Sequence, residues 1–251
     1  MIIEQTIDQL YRMKLFGMAE SIKARISSPD HRDLNVSDML GLIVDDESIY
    51  RDNKRRALRE RAAKFKDKPA TIESIEYEPG RGFTKAQFLE LAQLHWVKKH
   101  QNLAITGKTG TGKSWLAQAL GHQACREGLR VLFVRQPKLI HAILHAKATG
   151  GFPAFLKRLS KVDVLIIDDL GVSLMKEEVR RDLLEVIEDR FGVGSTVITS
   201  QLPVAEWHEY FAGGRIADAL CDRLTRNAHR IEITGPSKRP KIDSKPDENL
   251  D

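Results

Sequence analysis

Cysteine is nearly absent from this chain. Its 251 residues include only Cys125 and Cys221. Each falls in a helical pattern without a CxxC partner, which excludes a disulfide framework or a cysteine zinc site and leaves two reduced, packed thiols. Long apolar runs are missing as well. None approaches the roughly 20 residues that span a bilayer, and the opening Met1-Ile2-Ile3-Glu4 lacks a basic n-region. The expectation is a cytoplasmic protein with no membrane partner. Internal repeats and low-complexity segments are also lacking. What remains is a globular composition, 41% apolar and 30% charged, with a formal net charge of +5. That balance is mild support for a polyanionic partner, so the placement of the charge matters more than its total.

The first stretch, 1–68, has helical periodicity. Ile3, Ile7, Leu10, Met13, Leu15, Met18 and Ile22 are spaced as one apolar face. Pro29-Asp30 breaks the pattern, and Ser37 has the place of an N-cap for a helix running to about Phe65. A small helical domain is expected. Its second half is basic: nine Lys/Arg lie between Arg51 and Lys68 against three acids. Lys54, Arg55, Arg56 and Arg59 are therefore candidate DNA-backbone contacts, with a solvated helix face as the alternative. Pro69 and Glu78-Pro79-Gly80-Arg81-Gly82 mark a linker, and 69–99 reads as linker and entry helix.

From residue 100 to 234 short apolar runs alternate with helical patterns, the signature of a parallel α/β sheet built from βαβ units. Five strands are predicted: Leu103–Thr106, Val131–Arg135, Val162–Asp168, Thr196–Ser200 and Arg230–Ile233. Helices are expected at 113–126, 137–158, 176–191 and 215–226. The tail 235–251 carries three prolines and should be extended or disordered.

Chemistry concentrates at the strand ends. Gly107-Lys108-Thr109-Gly110-Thr111-Gly112-Lys113-Ser114 matches GxxxxGK[ST] between a strand and a helix. Its glycines let backbone N–H groups turn inward around phosphate oxygens, and the following helix offers its positive end. Lys113 should reach the β- and γ-phosphates of ATP, and Ser114 should place its hydroxyl on Mg²⁺. The apolar strand ending in Asp168-Asp169 would deliver Asp168 to Mg²⁺ and Asp169 to the attacking water, unless the pair merely begins a turn. Thr199-Ser200-Gln201 ends another strand at the same edge. Gln201 is the leading candidate to orient the water, with Thr199 and Ser200 as alternatives. His141 and His145 stand four apart, but residue 142 is Ala, so the zinc-protease pattern fails.

The order of P-loop, Asp-Asp strand, Thr-Ser-Gln strand and Asp222-Arg223-Leu224 resembles the AAA+ ATPases of the DnaA/DnaC clade. With Thr199-Ser200-Gln201-Leu202-Pro203, Trp207-His208 and Ala217-Asp218-Ala219 through Arg230, the chain is more closely similar to the IstB transposition helper ATPases of bacterial insertion sequences. The resemblance implies an AAA+ ATPase core of 100–234 behind a DNA- or partner-binding helical domain of 1–68, in a protein that binds double-stranded DNA, forms homo-oligomers and assists a transposase. It implies that Arg223 is an arginine finger reaching a neighbour's ATP, and that Arg239, in Gly235-Pro236-Ser237-Lys238-Arg239, senses the nucleotide. Lys138, Lys147, Lys157 and Arg158 fall where that clade carries its initiator-type helix, so they are further DNA candidates, again with a solvated face as the alternative. Asp169 stands where most AAA+ enzymes have Glu, which implies slow hydrolysis. Only 18 residues follow the fifth strand (251 − 233), so no helical lid is expected. Rival readings are a helicase loader of the DnaC type, a small-molecule kinase, and a nucleotide switch without a DNA role.

Overall fold

The computed structural model describes residues 2–27, 35–66 and 70–238. The chain divides into two compact units between Arg59 and Glu60, where the sequence reading set its helical region at 1–68.

In the first unit the single apolar face becomes two helices, α1 (Ile2–Arg12) and α2 (Phe16–Ile26). Lys14 separates them in the left-handed region, φ 61°, so the residues before and after it cannot continue one stripe. A third helix, α3 (Val36–Ala63), begins one residue before Ser37. Its first turn is held instead by Asn35, whose Oδ1 accepts from Asp38 N at 2.9 Å. Helix α2 meets α3 at Gly17, where a Cβ would lie 2.6 Å from the Asp46 carbonyl oxygen. Around that close approach Ser21 Oγ and Arg25 Nη1 both donate to Asp46, at 2.6 and 2.7 Å. Met18 N donates to Glu47 at 3.1 Å.

The second unit begins with the entry helices α4 (Lys85–Ala92) and α5 (His95–Lys98) and then builds a five-stranded sheet. The strands are β1 (Leu103–Gly107), β2 (Val131–Arg135), β3 (Val164–Leu170), β4 (Ser195–Ser200) and β5 (His229–Ile233). They lie in the order β2-β3-β4-β1-β5, and all four pairings are parallel. Successive strand residues point to opposite faces. Ile105, Ile166 and Val197 accordingly enter one apolar cluster, and Ala104, Leu165, Ile167 and Ile198 the other. Helix α6 (Lys113–Arg126) covers the first face. The second is covered by α7 (Gln136–Ala148), α8 (Phe152–Ser160), α9 (Glu177–Glu188), α10 (Trp207–Tyr210) and α11 (Gly214–Thr225).

Two expectations are corrected here. The helix predicted over 137–158 is two helices, because Gly150 adopts φ 70° between them. Strand β3 starts later than expected and runs past both carboxylates to Leu170. It does so through an irregular register between Ile167 and Leu170, with Asp169 at φ 59°. Side chains from β4 carry the ladder across this bulge: Thr199 Oγ1 accepts from Asp169 N at 3.0 Å, and Ser200 Oγ donates to the Leu170 carbonyl at 2.7 Å.

Candidate functional site

Because the sheet is parallel, β1, β3 and β4 all end at one edge, and the chemistry-bearing residues meet there. The P-loop leaves β1 at Gly107 and enters α6 through Gly112, whose φ of 95° serves as the helix N-cap. A Cβ on Gly107 would collide with the Ile233 carbonyl of β5, so the loop's first residue cannot be larger. Lys113 folds over the loop, donating to the carbonyls of Gly107 and Lys108 at 2.7 Å each. Thr111 Oγ1 donates to Lys108 O at 2.9 Å. Beside the loop lies a cavity of about 410 Å³, lined by Thr109, Gly110, Gly112, Lys113 and Ser114 together with Asp169 and Gln201. That volume falls within the range of small-ligand sites.

Asp168 is 2% exposed. It accepts from Thr199 Oγ1 at 2.7 Å and from the Ser114 side chain. Burial raises its pKa above the ordinary carboxylate value, against the opposing pull of those two hydrogen bonds. A buried carboxylate held by two neutral hydroxyls, one from the P-loop, is a donor set suited to a hard divalent cation. Asp169 is half-buried and faces Arg135, whose Nη2 and Nε lie 2.9 and 3.1 Å from its Oδ2. Thr199 and Ser200 end β4 and Gln201 follows it; of these three, Thr199 is committed to Asp168. Ser200 is committed to Leu170, and also accepts from Leu202 N at 3.0 Å. Gln201 is exposed and lines the cavity.

Arg223 lies elsewhere. It sits in the last turn of α11, and its carbonyl accepts from Asn102 Nδ2 at 2.8 Å. Asn102 immediately precedes β1, so this is the sheet edge where strands begin, not the P-loop edge. Its guanidinium pairs with Glu188 at 2.5 Å and Asp222 at 3.6 Å, which raises its pKa further. Arg239 lies outside the described residues.

The candidate DNA contacts are spread over both units. On α3, Lys54 and Arg55 are exposed, Arg56 and Arg59 half-buried. Arg55 pairs with Asp52 at 3.5 Å, and Lys54 stands over the Phe16 ring at 5.2 Å. On α7 and α8, Lys138, Lys157 and Arg158 are exposed. Lys147 is engaged by the buried Asp182 at 2.5 Å, a packing reason for its presence.

Sequence reasoning missed Arg135 and Arg81. Arg135 ends β2 as an ordinary polar residue, and only the pairing of β2 with β3 brings it opposite Asp168. Arg81 falls in the Pro- and Gly-marked linker of the sequence, yet it is buried and lines the cavity.

Comparison with known proteins agrees with this geometry. The family model described as IstB-like ATP binding protein matches residues 8–246. An insertion sequence ATP-binding protein of Sinorhizobium fredii is 42% identical over 239 residues, 95% of this chain and 97% of that protein. One from Mycobacterium tuberculosis is 30% identical over 233 residues, 92% of each chain. Among solved structures, the DnaC helicase loader superposes with a TM-score of 0.55 at 21% identity, covering 66% of this chain and 97% of the loader. AMPPCP-bound DnaA from Aquifex aeolicus superposes with a TM-score of 0.58 at 21% identity, covering 68% and 51%. At those identities the likeness is one of fold: the second unit has the AAA+ architecture of these neighbours.

Proposed function

Since the chain belongs to the IstB-like ATP binding protein family, an ATPase family of AAA+ fold, we propose that it assembles on double-stranded DNA in an ATP-dependent manner and assists a transposase. The observation that carries this reading is the convergence of Ser114, Asp169 and Gln201 on one P-loop cavity, with Asp168 hydrogen-bonded to Ser114, in a chain whose relatives are named for insertion sequences. The helicase-loader alternative shares the fold alone.

In this reading Lys113 exchanges its carbonyl partners for the β- and γ-phosphates, and the P-loop N–H groups hold the remaining oxygens. Ser114 and Asp168 would hold Mg²⁺, which would neutralise charge on the phosphates. Asp169 accepts the proton of the attacking water, with Arg135 fixing its carboxylate at the cavity edge. Gln201 orients that water. Arg223 completes the site of the next subunit, and Arg239 reports the nucleotide in its own. Placement of Arg223 at the opposite sheet edge supports the action on a neighbour, since a side chain there is remote from its own P-loop. The basic face of α3 supplies phosphate contacts to DNA, as do Lys138, Lys157 and Arg158, whereas Lys147 is held by Asp182.

DNA binding measured with and without ATP and Mg²⁺, together with particle size, tests this function. Binding should need ATP, be indifferent to sequence and produce larger particles. If about six phosphates are neutralised, affinity should fall by about 10³ or more between roughly 50 and 200 mM salt. Replacing Arg55, Arg56 and Arg59 together by Gln should weaken binding and flatten that slope. An unchanged slope would return this basic run to a solvated face, and absence of any DNA binding would refute the function.

A further inference from the structure

Two P-loop peptide groups are held by residues that lie far from the P-loop in sequence. Arg81 Nη2 donates to the Thr111 carbonyl at 2.5 Å, and Lys238 N donates to the Gly110 carbonyl at 2.8 Å. A trans peptide points its C=O and its N–H in opposite directions. Fixing the Thr111 carbonyl therefore fixes the Gly112 N–H, and fixing the Gly110 carbonyl fixes the Thr111 N–H. These are N–H groups of the kind a phosphate-binding loop turns toward its anion.

The two holders differ in charge balance. Lys238 also lines the cavity, but Glu76 and Glu78 neutralise its ammonium. Arg81 has no ion pair among the described residues, although it is only 8% exposed. Its other contacts are the Glu76 carbonyl at 3.2 Å and the Phe83 ring, 5.7 Å from its guanidinium carbon. Its backbone is pinned as well: the Arg81 carbonyl accepts from Thr234 N at 3.1 Å, just beyond β5. A Cβ on the neighbouring Gly82 would meet the Glu232 carbonyl. Two carbonyls and the longer-range attraction of the Glu76 carboxylate replace only part of the water such an enclosed guanidinium loses, and an anion in the cavity it lines would add to them.

We propose that Arg81 is a nucleotide-binding and positioning residue outside the P-loop pattern: it orients the Gly112 N–H and supplies a cis positive charge to the polyphosphate. This rests on the cavity being the ATP site. Arg81 acts on binding and leaves the chemistry of Asp169 untouched, so its effect belongs in affinity and not in turnover at saturation.

The test measures ATP affinity by displacement of a fluorescent ATP analogue, and KM and kcat, for the native protein, Arg81→Gln and Arg81→Lys. Loss of a charge-assisted contact predicts ATP affinity about tenfold to a hundredfold weaker in Arg81→Gln, with KM raised in step and kcat within about twofold. Arg81→Lys keeps the charge and can reach one carbonyl, so it should recover part of the affinity. Arg81→Gln affinity within about twofold of native overturns the inference. So does an Arg81→Lys protein no better than Arg81→Gln, which would make the arginine a brace of the fold. Failure of the native protein itself to bind ATP would instead sink the reading of the cavity.

Discussion

If Arg223 acts on a neighbour's nucleotide, it must leave the Glu188 carboxylate that holds it within one subunit. The energetics permit this. Its side chain is 30% exposed and that of Glu188 41%, so the pair is a surface pair worth about 1 kcal/mol at most, or roughly fivefold in an equilibrium. A finger that neutralises charge on the transferred phosphoryl group contributes about 10³-fold or more to turnover. The gain exceeds the cost by at least two orders of magnitude, so Glu188 can park the arginine without silencing it. Three proteins then behave differently in a steady-state ATPase assay with DNA present. Arg223→Ala should lose about 10³-fold in kcat, whereas Glu188→Gln should gain up to about fivefold because the parked state is lost. Arg223→Ala mixed with Lys113→Ala should recover part of the native rate, since one supplies an intact P-loop and the other an intact finger. Native turnover should also rise with protein concentration. Two inactive proteins that co-assemble on DNA and stay inactive at every mixing ratio would refute action in trans, and a Glu188→Gln protein as slow as Arg223→Ala would show that the ion pair is itself required.

Two further outcomes follow from the geometry. Lys113→Ala should abolish ATP binding or hydrolysis, while Asp169→Asn should bind ATP normally and lose turnover, because the first group meets ground-state phosphates and the second acts on water; normal turnover in Asp169→Asn would remove that residue from the base role. Arg190 is 2% exposed and donates to the carbonyls of Leu159, Val162 and Ser195 at 2.6, 2.8 and 2.7 Å, with burial lowering its pKa to about 10. Arg190→Met should orphan three acceptors and destabilise the protein by about 3–5 kcal/mol, read as a lower urea midpoint at unchanged slope, and a loss under about 1 kcal/mol would show that other groups or water satisfy those carbonyls.

The parts legible in the sequence are those whose physics is local. A glycine-rich loop between an apolar strand and a helix is contiguous, so Gly107–Ser114 and the strand before it could be read residue by residue. Strands buried on both faces announce themselves as apolar runs, which is why all five sheet strands appear within two residues of their expected bounds at either end. Helix breaks were less legible: Gly150 and Lys14 end their helices by adopting positive φ, a choice that depends on what the following segment packs against. The motifs already implied that Ser114 and Asp168 share one Mg²⁺, but only the tertiary structure could show their direct hydrogen bond, or extend β3 through Asp169 by borrowing hydroxyls from β4. The same holds for Arg135 and Arg81. Each is an ordinary polar residue in its own segment, and each acquires its partner from a strand or loop about 30 residues or more away, by strand pairing and loop packing that no local pattern encodes.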